Sequence, residues 1–212
     1  MTFSAGSNDE PPPTDWEAAY VAGDTPWDKG APSPALVWEF GRLPIHGRAL
    51  VPGCGSGNDL PAVLAGGATE VVGLDPAPTA VTKATVRHHA DHRIRIVEGS
   101  LFETPVEWNG AFDSVVEHTC FCAIRRSLRV AYVEAVARVL RPGGELVAVF
   151  YMNPRDDPDP RLGPPFSSNV EELRSRFEPW FDIVHAGIPG DAFPERVGRE
   201  EVWRLRRRSI RL

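Results

Sequence analysis

The residues most able to do chemistry are a glycine-rich run, Gly53-Cys54-Gly55-Ser56-Gly57, and a carboxylate, Asp75. The run follows a short apolar segment, Arg48 to Pro52, and Asp75 ends a second one, Val71 to Asp75. Glycines at such a place let backbone approach a ligand closely and adopt unusual dihedrals. An acid at the end of a second strand can accept both hydroxyls of a ribose. The pair asks for a nucleotide-like ligand with a free ribose diol. A tight strand-to-helix turn without a ligand is the plain alternative.

The spacing narrows the choice. A dinucleotide fingerprint is G-x-G-x-x-G, and its third glycine would fall on Asn58 or Leu60 here. The run is G-x-G-x-G, and no Gly-Lys-Ser/Thr follows to make a P-loop. S-adenosylmethionine (SAM) has no pyrophosphate and does not need that third glycine. SAM therefore suits the run better than NAD.

These residues need elements to hold them. Thr14-Asp15-Trp16-Glu17 reads as a capping box for a helix over Asp15 to Ala22, ended by Gly23. Ser33 as N-cap and Pro34 at the first helical position open a second helix, to Phe40. Strands are then expected at Arg48–Pro52, Val71–Asp75, Ile94–Val97, Phe112–Glu117 and Leu146–Phe150. Helices are expected at Asp59–Leu64, Thr79–Ala90 and Leu128–Leu140, with Arg141-Pro142-Gly143-Gly144 stopping the last. Ser168 to Glu171 is a further capping signal, for a helix to Phe177; Trp180–Ala186 and Glu201–Ile210 read as two late strands. Such alternation means right-handed β-α-β units and a mostly parallel sheet covered on both faces.

Composition sets the outer bounds. The chain has 212 residues, 42% hydrophobic and 25% charged, with a net charge of −6. Collagen, coiled coil and wholly disordered chains are excluded. An acidic chain is a poor general binder of nucleic acid, although Arg204, Arg206, Arg207, Arg208 and Arg211 crowd the C-terminus. No apolar run approaches the roughly 20 residues that span a bilayer. Met1 to Asp15 has no apolar signal core. Three cysteines, Cys54, Cys120 and Cys122, fit reduced thiols in a cytoplasm. Pro11-Pro12-Pro13 and the polar residues before it make Met1 to Pro13 a mobile arm.

The chain resembles the thiopurine S-methyltransferase superfamily, which also holds thiol, halide and thiocyanate methyltransferases. The resemblance is carried by Trp16, by Gly-Asp-Thr-Pro-Trp-Asp at 23–28 and by Val-Pro-Gly-Cys-Gly-Ser-Gly-Asn-Asp at 51–59. Val-Val-Gly-Leu-Asp at 71–75, Phe112-Asp113, Glu-His-Thr-Cys-Phe-Cys-Ala-Ile at 117–124 and Leu-Arg-Pro-Gly-Gly at 140–144 extend it. Gly-Pro-Pro-Phe at 163–166 and Arg-Val-Gly-Arg-Glu at 196–200 complete it. It implies an α/β fold: a seven-stranded, doubly wound, mostly parallel sheet of the class I SAM-methyltransferase, Rossmann-like type. The last strand would be antiparallel, residues 14–212 would form one domain, and the N-terminal helix would help form a lid.

The resemblance also assigns roles. Trp16 and Trp27 would close over SAM, and Gly53, with Gly55 and Gly57 in the same turn, would meet its aminocarboxypropyl arm. Asp75 would hold the ribose, Ser100 and Leu101 would meet the adenine, and His118 would sit beside the methionine part. Trp16 and Trp27 as core residues remain the alternative. Some positions depart from common patterns: Val51 and Ser100 stand where many methyltransferases carry an acid, and His118 where relatives often have Arg or Tyr.

The expected reaction is methyl transfer to a small soft nucleophile, foremost a thiol, with S-adenosylhomocysteine as second product. Halide or thiocyanate methylation, N- or O-methylation of a small metabolite, and SAM binding without turnover stay open. His118 could take a proton from a thiol, or serve only as a cofactor contact. Arg196 and Arg199 could hold an anionic acceptor, or Arg199 could pair with Glu200 or Glu201 on a surface turn. Trp38, Phe121 and Phe166 are candidates for an apolar acceptor wall, or for core. Cys120 and Cys122 make no Cys-x-x-Cys motif and read as packing residues. His88 and His92 have metal-ligand spacing, but a solvated helix end explains them more simply, so no metal is expected.

Overall fold

A computed structural model describes residues 10–156 and 162–209. The helices are α1 (Trp16–Ala22), α2 (Pro34–Arg42), α3 (Leu60–Ala65), α4 (Pro78–His88), α5 (Arg129–Val139) and α6 (Val170–Phe177). The strands are β1 (Gly47–Pro52), β2 (Ala68–Asp75), β3 (Ile94–Glu98), β4 (Phe112–His118), β5 (Leu140–Tyr151), β6 (Phe181–Gly187) and β7 (Glu200–Arg207). They form one seven-stranded sheet of order β3-β2-β1-β4-β5-β7-β6. The five leading strands pair in parallel, and β7 runs antiparallel to both β5 and β6.

The apolar strands are buried on both faces. Leu50, Val72, Val115 and Leu146 belong to one core cluster. Their neighbours Ala49, Val51, Val71, Val116 and Val147 belong to another. Successive side chains on a strand point to opposite faces, so near-continuous apolar runs are what two covered faces require.

Strand order reverses between β1 and β4, which opens a crevice at the carboxyl edge of the sheet. Register levels that edge: Pro52 pairs with Leu74, Asp75 with Glu98, and His118 with Val149. Gly53, Asp75, His118 and Tyr151 therefore end up around one crevice.

Several local expectations shift. The Thr14 capping box does not form; Asp15 caps α1 by accepting from the Ala18 backbone at 2.9 Å. Glu17, released from that box, bonds α4 instead. Asn169 caps α6, one residue beyond Ser168. Arg141 to Gly144 does not separate α5 from β5; the ladder already pairs Phe112 with Leu140, then resumes at Ser114 with Glu145. The extra residues leave the ladder as an irregularity within β5, where Gly143 has φ 76°.

Of the expected arm, residues 1–9 lie outside the described residues, as does Ile210. Glu10 is fastened: its carboxylate accepts from the Ser127 backbone at 2.9 Å, the Ser127 hydroxyl at 2.6 Å and Arg125 at 3.2 Å. Among the described residues no helix is long and apolar enough to cross a membrane.

Candidate active site

A cavity of about 380 Å³ occupies the crevice. Its floor is the turn after β1. Gly53 (φ 61°) and Gly55 (φ 55°) sit in the left-handed region, which L side chains avoid. Space demands glycine as well: a methyl group at Gly55 would lie 2.6 Å from the Tyr20 hydroxyl, and one at Gly53 would lie 2.9 Å from the Cys120 sulfur.

Asp75 lies beside this turn. Its two oxygens accept from the backbone of Gly55 at 2.8 Å and of Ala77 at 2.9 Å. These bonds fix the carboxylate, and an ionised carboxylate has about four acceptor sites, so two remain for a diol. Burial pushes its pKa upward, and the two backbone donors oppose that. Ser100 and Leu101 line the same end of the cavity. The Ser100 hydroxyl accepts from the Phe102 backbone at 3.2 Å.

Three aromatic rings close the cavity from the N-terminal side. Trp16 meets Trp27 edge-on at 5.3 Å, and Tyr20 meets Trp27 edge-on at 5.8 Å. The Trp27 indole N–H donates to the Tyr20 hydroxyl at 3.1 Å. Burial pushes the Tyr20 phenol up to about 12, so it stays neutral. The Trp27 loop is pinned by its neighbour Asp28, which accepts from Ser56 and Asn58, both at 2.6 Å. Burial disfavours the Asp28 charge, but these bonds outweigh it and hold the carboxyl below the usual range. Lys29 closes the mouth with Glu195 at 2.8 Å.

The opposite end is a chain of charges. Asp59, the residue before α3, stands 2.7 Å from His118 Nδ1. His118 Nε2 stands 3.0 Å from Arg196 Nη1, which also donates to Glu200 at 3.1 Å. The Arg196 guanidinium lies 5.0 Å from the Tyr151 ring centre and 5.6 Å from that of Phe193. Asp59, His118, Arg196, Tyr151 and Phe193 all line the cavity.

The crevice thus collects Trp16, Trp27, Gly53, Gly55, Asp75, Ser100, Leu101, His118 and Arg196. Five other residues lie outside its wall. Phe121 is in the core, its ring 5.4–5.6 Å from Phe150, Tyr132 and Phe177. Phe166 is 1% exposed and packs beneath Gly163. Trp38 stacks under the Arg42 guanidinium and against Gly190. Arg199 pairs with Asp156 at 2.7 Å, a partner different from Glu200 and Glu201. Gly57 (φ 79°) turns the chain and offers its carbonyl to His88 at 2.8 Å.

Sequence reasoning passed over Tyr20, Asp59, Tyr151 and Phe193. Tyr151 ends β5, so the rule that ligands sit beyond strand ends would have found it. Asp59 lies two residues beyond the glycine run, where the sequence pattern shows only a helix start. Cys120 and Cys122, expected to be packing residues, also line the cavity, as does Cys54 of the glycine run. Burial pushes all three thiols upward, so they stay protonated.

The sequence profile described as thiopurine S-methyltransferase (TPMT) matches residues 12–211. The chain belongs to this family. A "Probable thiol methyltransferase 2" of Arabidopsis thaliana is 35% identical over 199 residues, covering 92% of this chain and 85% of that one. "Thiocyanate methyltransferase 1" of the same plant is 32% identical over 199 residues, covering 91% and 84%. Among solved structures, the N-methyltransferase NodS from Bradyrhizobium japonicum WM9 in complex with S-adenosyl-L-homocysteine superposes with a TM-score of 0.69. It is 16% identical, with 91% of this chain and 96% of that one covered, a likeness of fold. This thiopurine S-methyltransferase family member is a SAM-dependent methyltransferase with the class I α/β fold. The residues present fit SAM: two glycines where a Cβ would collide, a fixed carboxylate with spare lone pairs, and indole rings for a cation.

Proposed function

We propose that this chain moves the methyl group of SAM to a small thiol, leaving a thioether and S-adenosylhomocysteine. The observation that carries the reading is the acceptor end: one buried cation, Arg196, between Tyr151 and Phe193, beside a histidine backed by a carboxylate.

SAM supplies an electrophilic methyl group on a sulfonium sulfur. The chain's own share is alignment and exclusion of water, which can supply several kcal/mol of the barrier. Trp16 and Trp27 face the sulfonium, an attraction of about 0.5–2 kcal/mol by cation–π contact. Gly53 and Gly55 give room for the aminocarboxypropyl arm, Asp75 holds the ribose, and Ser100 with Leu101 borders the adenine. Arg196 draws an anionic sulfur toward His118, and Tyr151 and Phe193 keep that end dry. Arg199, turned to Asp156, has no part in this reading.

Iodide or thiocyanate is a second reading, favoured by two cations, Lys29 and Arg196, on the cavity wall. A small-molecule acceptor suits the cavity, and the net charge of −6 argues against nucleic acid. We take residues 14–212 as one catalytic domain, and free cysteines support a cytoplasmic setting.

An acceptor panel tests the proposal. The protein is incubated with SAM and, in turn, hydrogen sulfide, an aromatic thiol, a thiopurine, iodide, thiocyanate and a small phenol. Thioethers are the expected products. Methyl iodide or methyl thiocyanate without any thioether would replace the thiol reading with the second one. A methylated phenol alone would move the acceptor to oxygen. Bound SAM with no product from any acceptor would make the chain a SAM-binding regulator.

A further inference from the structure

Asp59 has both oxygens committed. Oδ1 accepts from the Ser33 backbone at 2.7 Å, and Oδ2 faces His118 Nδ1 at 2.7 Å. The carboxylate cannot turn without breaking one of them. Its side chain is 16% exposed and that of His118 9%, so water competes weakly for either bond.

The other face of the imidazole is set by Arg196. A guanidinium only donates. Its contact with Nε2 at 3.0 Å therefore asks for a lone pair on Nε2. The ring proton then belongs on Nδ1, against Asp59. This is the arrangement in which a carboxylate orients a histidine and keeps the lone pair on Nε2; Arg196 occupies that lone pair until an incoming thiol takes its place as donor.

We propose that Asp59 is a positioning residue that holds His118 as proton acceptor for the incoming thiol, so that thiols arriving protonated become substrates. The inference rests on the thiol reading above and deepens it.

The step balances. The S–H bond of the acceptor breaks, its proton goes to Nε2 of His118, and the electron pair stays on sulfur. That pair forms the new carbon–sulfur bond, while the bond from the methyl carbon to the donor sulfur breaks and its electrons stay on that sulfur. His118 then returns the proton to solvent. Once Nε2 carries a proton, Arg196 can no longer donate to it, and its charge is left for Glu200 and the thiolate.

The surrounding charges are consistent with this. Burial opposes a charged His118, and Arg196 opposes it too. Asp59 and Glu200 favour it, and the balance lies above the usual histidine value. Cys54 stays a protonated thiol near Asp59. Glu117, the preceding residue on β4, is occupied elsewhere, accepting from the Phe121 backbone at 2.8 Å and from Tyr132.

The test compares two thiols across pH: an aromatic thiol already ionised at pH 7, and an alkyl thiol that is not. Wild type, Asp59→Asn and His118→Gln are measured as kcat/KM. The raised His118 value puts the comparison at pH 7.5 rather than lower, where a thiol with a pKa near 8.5 is about 10% ionised. Losing the proton acceptor should therefore lower the alkyl-to-aromatic ratio by up to about tenfold at pH 7.5. The ratio should return to the wild-type value above the thiol pKa. A second readout needs no turnover: nitrogen-15 NMR of the ligand-free protein should show His118 as the Nδ1–H tautomer, with that signal altered in Asp59→Asn. Calorimetric binding of S-adenosylhomocysteine checks that each variant is folded; should Asp59→Asn fail it, His118→Gln and the wild-type tautomer decide alone. An unchanged ratio at every pH, or an Nε2–H tautomer in the wild type, overturns the inference and leaves the thiol reading standing. Wild-type protein that methylates no thiol overturns both.

Discussion

The Glu17 carboxylate takes both hydrogen bonds that Thr79 can donate, from its backbone N–H at 2.9 Å and its hydroxyl at 2.6 Å. Thr79 is the second residue of α4, so the carboxylate also meets the positive end of a helix. This contact ties α1, which carries Trp16 and Tyr20, to the body of the protein. Hydrogen bonds to a charged group contribute about 1.5–3 kcal/mol. Glu17→Ala should weaken SAM binding by roughly tenfold, at the low end of that range, because Glu17 is partly exposed. Calorimetric titration reads the loss directly, and an unchanged affinity would show that the contact does not hold the lid.

Trp27 offers a sharper contrast, because SAM carries a sulfonium charge and S-adenosylhomocysteine does not. Trp27→Leu removes the ring that meets both Trp16 and Tyr20. The cation–π share, about 0.5–2 kcal/mol, is lost for SAM only. Trp27→Leu should thus weaken SAM more than S-adenosylhomocysteine by roughly two- to thirtyfold. Equal losses for both ligands would assign Trp27 to packing.

Gly55→Ala should be costly for two reasons. Its φ of 55° is strained for any residue with a Cβ, and the new methyl would lie 2.6 Å from the Tyr20 hydroxyl. Left-handed backbone alone costs about 1–2 kcal/mol. The collision pushes Tyr20 and its bonded partner Trp27 away from the cavity. Affinity for SAM should fall by more than tenfold, a loss of about 1.4 kcal/mol or more, and thermal unfolding should shift only modestly.

Glu172 and Arg129 make a structural ion pair at 2.9 Å, with the arginine side chain fully buried. Burial disfavours the Glu172 charge, but Arg129 and Arg176 outweigh it and hold its pKa below the usual range. A depressed folded-state pKa contributes stability above the unfolded value and loses it as pH falls through the folded value. Glu172→Ala should cost about 3 kcal/mol at pH 7, since it strands a buried charge. The gap between variant and wild type should shrink as denaturation is measured at pH values falling below 4. A gap that stays constant with pH would remove the ionic explanation.

Glu117 should behave with the opposite sign. Burial pushes its pKa upward, against the donors Phe121 N–H and Tyr132 hydroxyl. A raised folded-state pKa favours folding below the unfolded value, and that contribution is lost as pH rises through the folded value. Glu117→Gln removes the titration. Its stability relative to wild type should therefore rise in chemical denaturation as pH is raised above the ordinary carboxylate range. A difference that stays flat with pH would show that the carboxyl does not titrate with a raised value.

Much of the fold could be read from residue order. Short apolar runs such as Val71 to Asp75 and Leu146 to Phe150 fixed the parallel strands, because only a sheet covered on both faces buries such runs. Gly53, Gly55 and Asp75 were legible for the same reason, since strand ends fix where a ligand can lie. The acceptor end was less legible. It is assembled by long-range contacts: Asp59 meets His118, and His118 meets Arg196. Nothing local to Asp59 distinguishes a helix-start acid from one aimed at a histidine. Phe121 and Phe166 misled for a related reason: aromatic residues look alike in sequence whether they wall a cavity or fill a core.

The two ends of the cavity come from different stretches of chain. Asp75, the glycine turn and the indole rings belong to the first 75 residues, whereas Tyr151, Phe193 and Arg196 arrive with the end of β5 and the segment from there to β7. Exchanging residues 151–196 would alter which nucleophile is admitted while the machinery that grips the methyl donor stays intact. The Asp59–His118–Arg196 chain and the Lys29–Glu195 pair join the two, so they mark the boundary at which new acceptor specificity can be grafted.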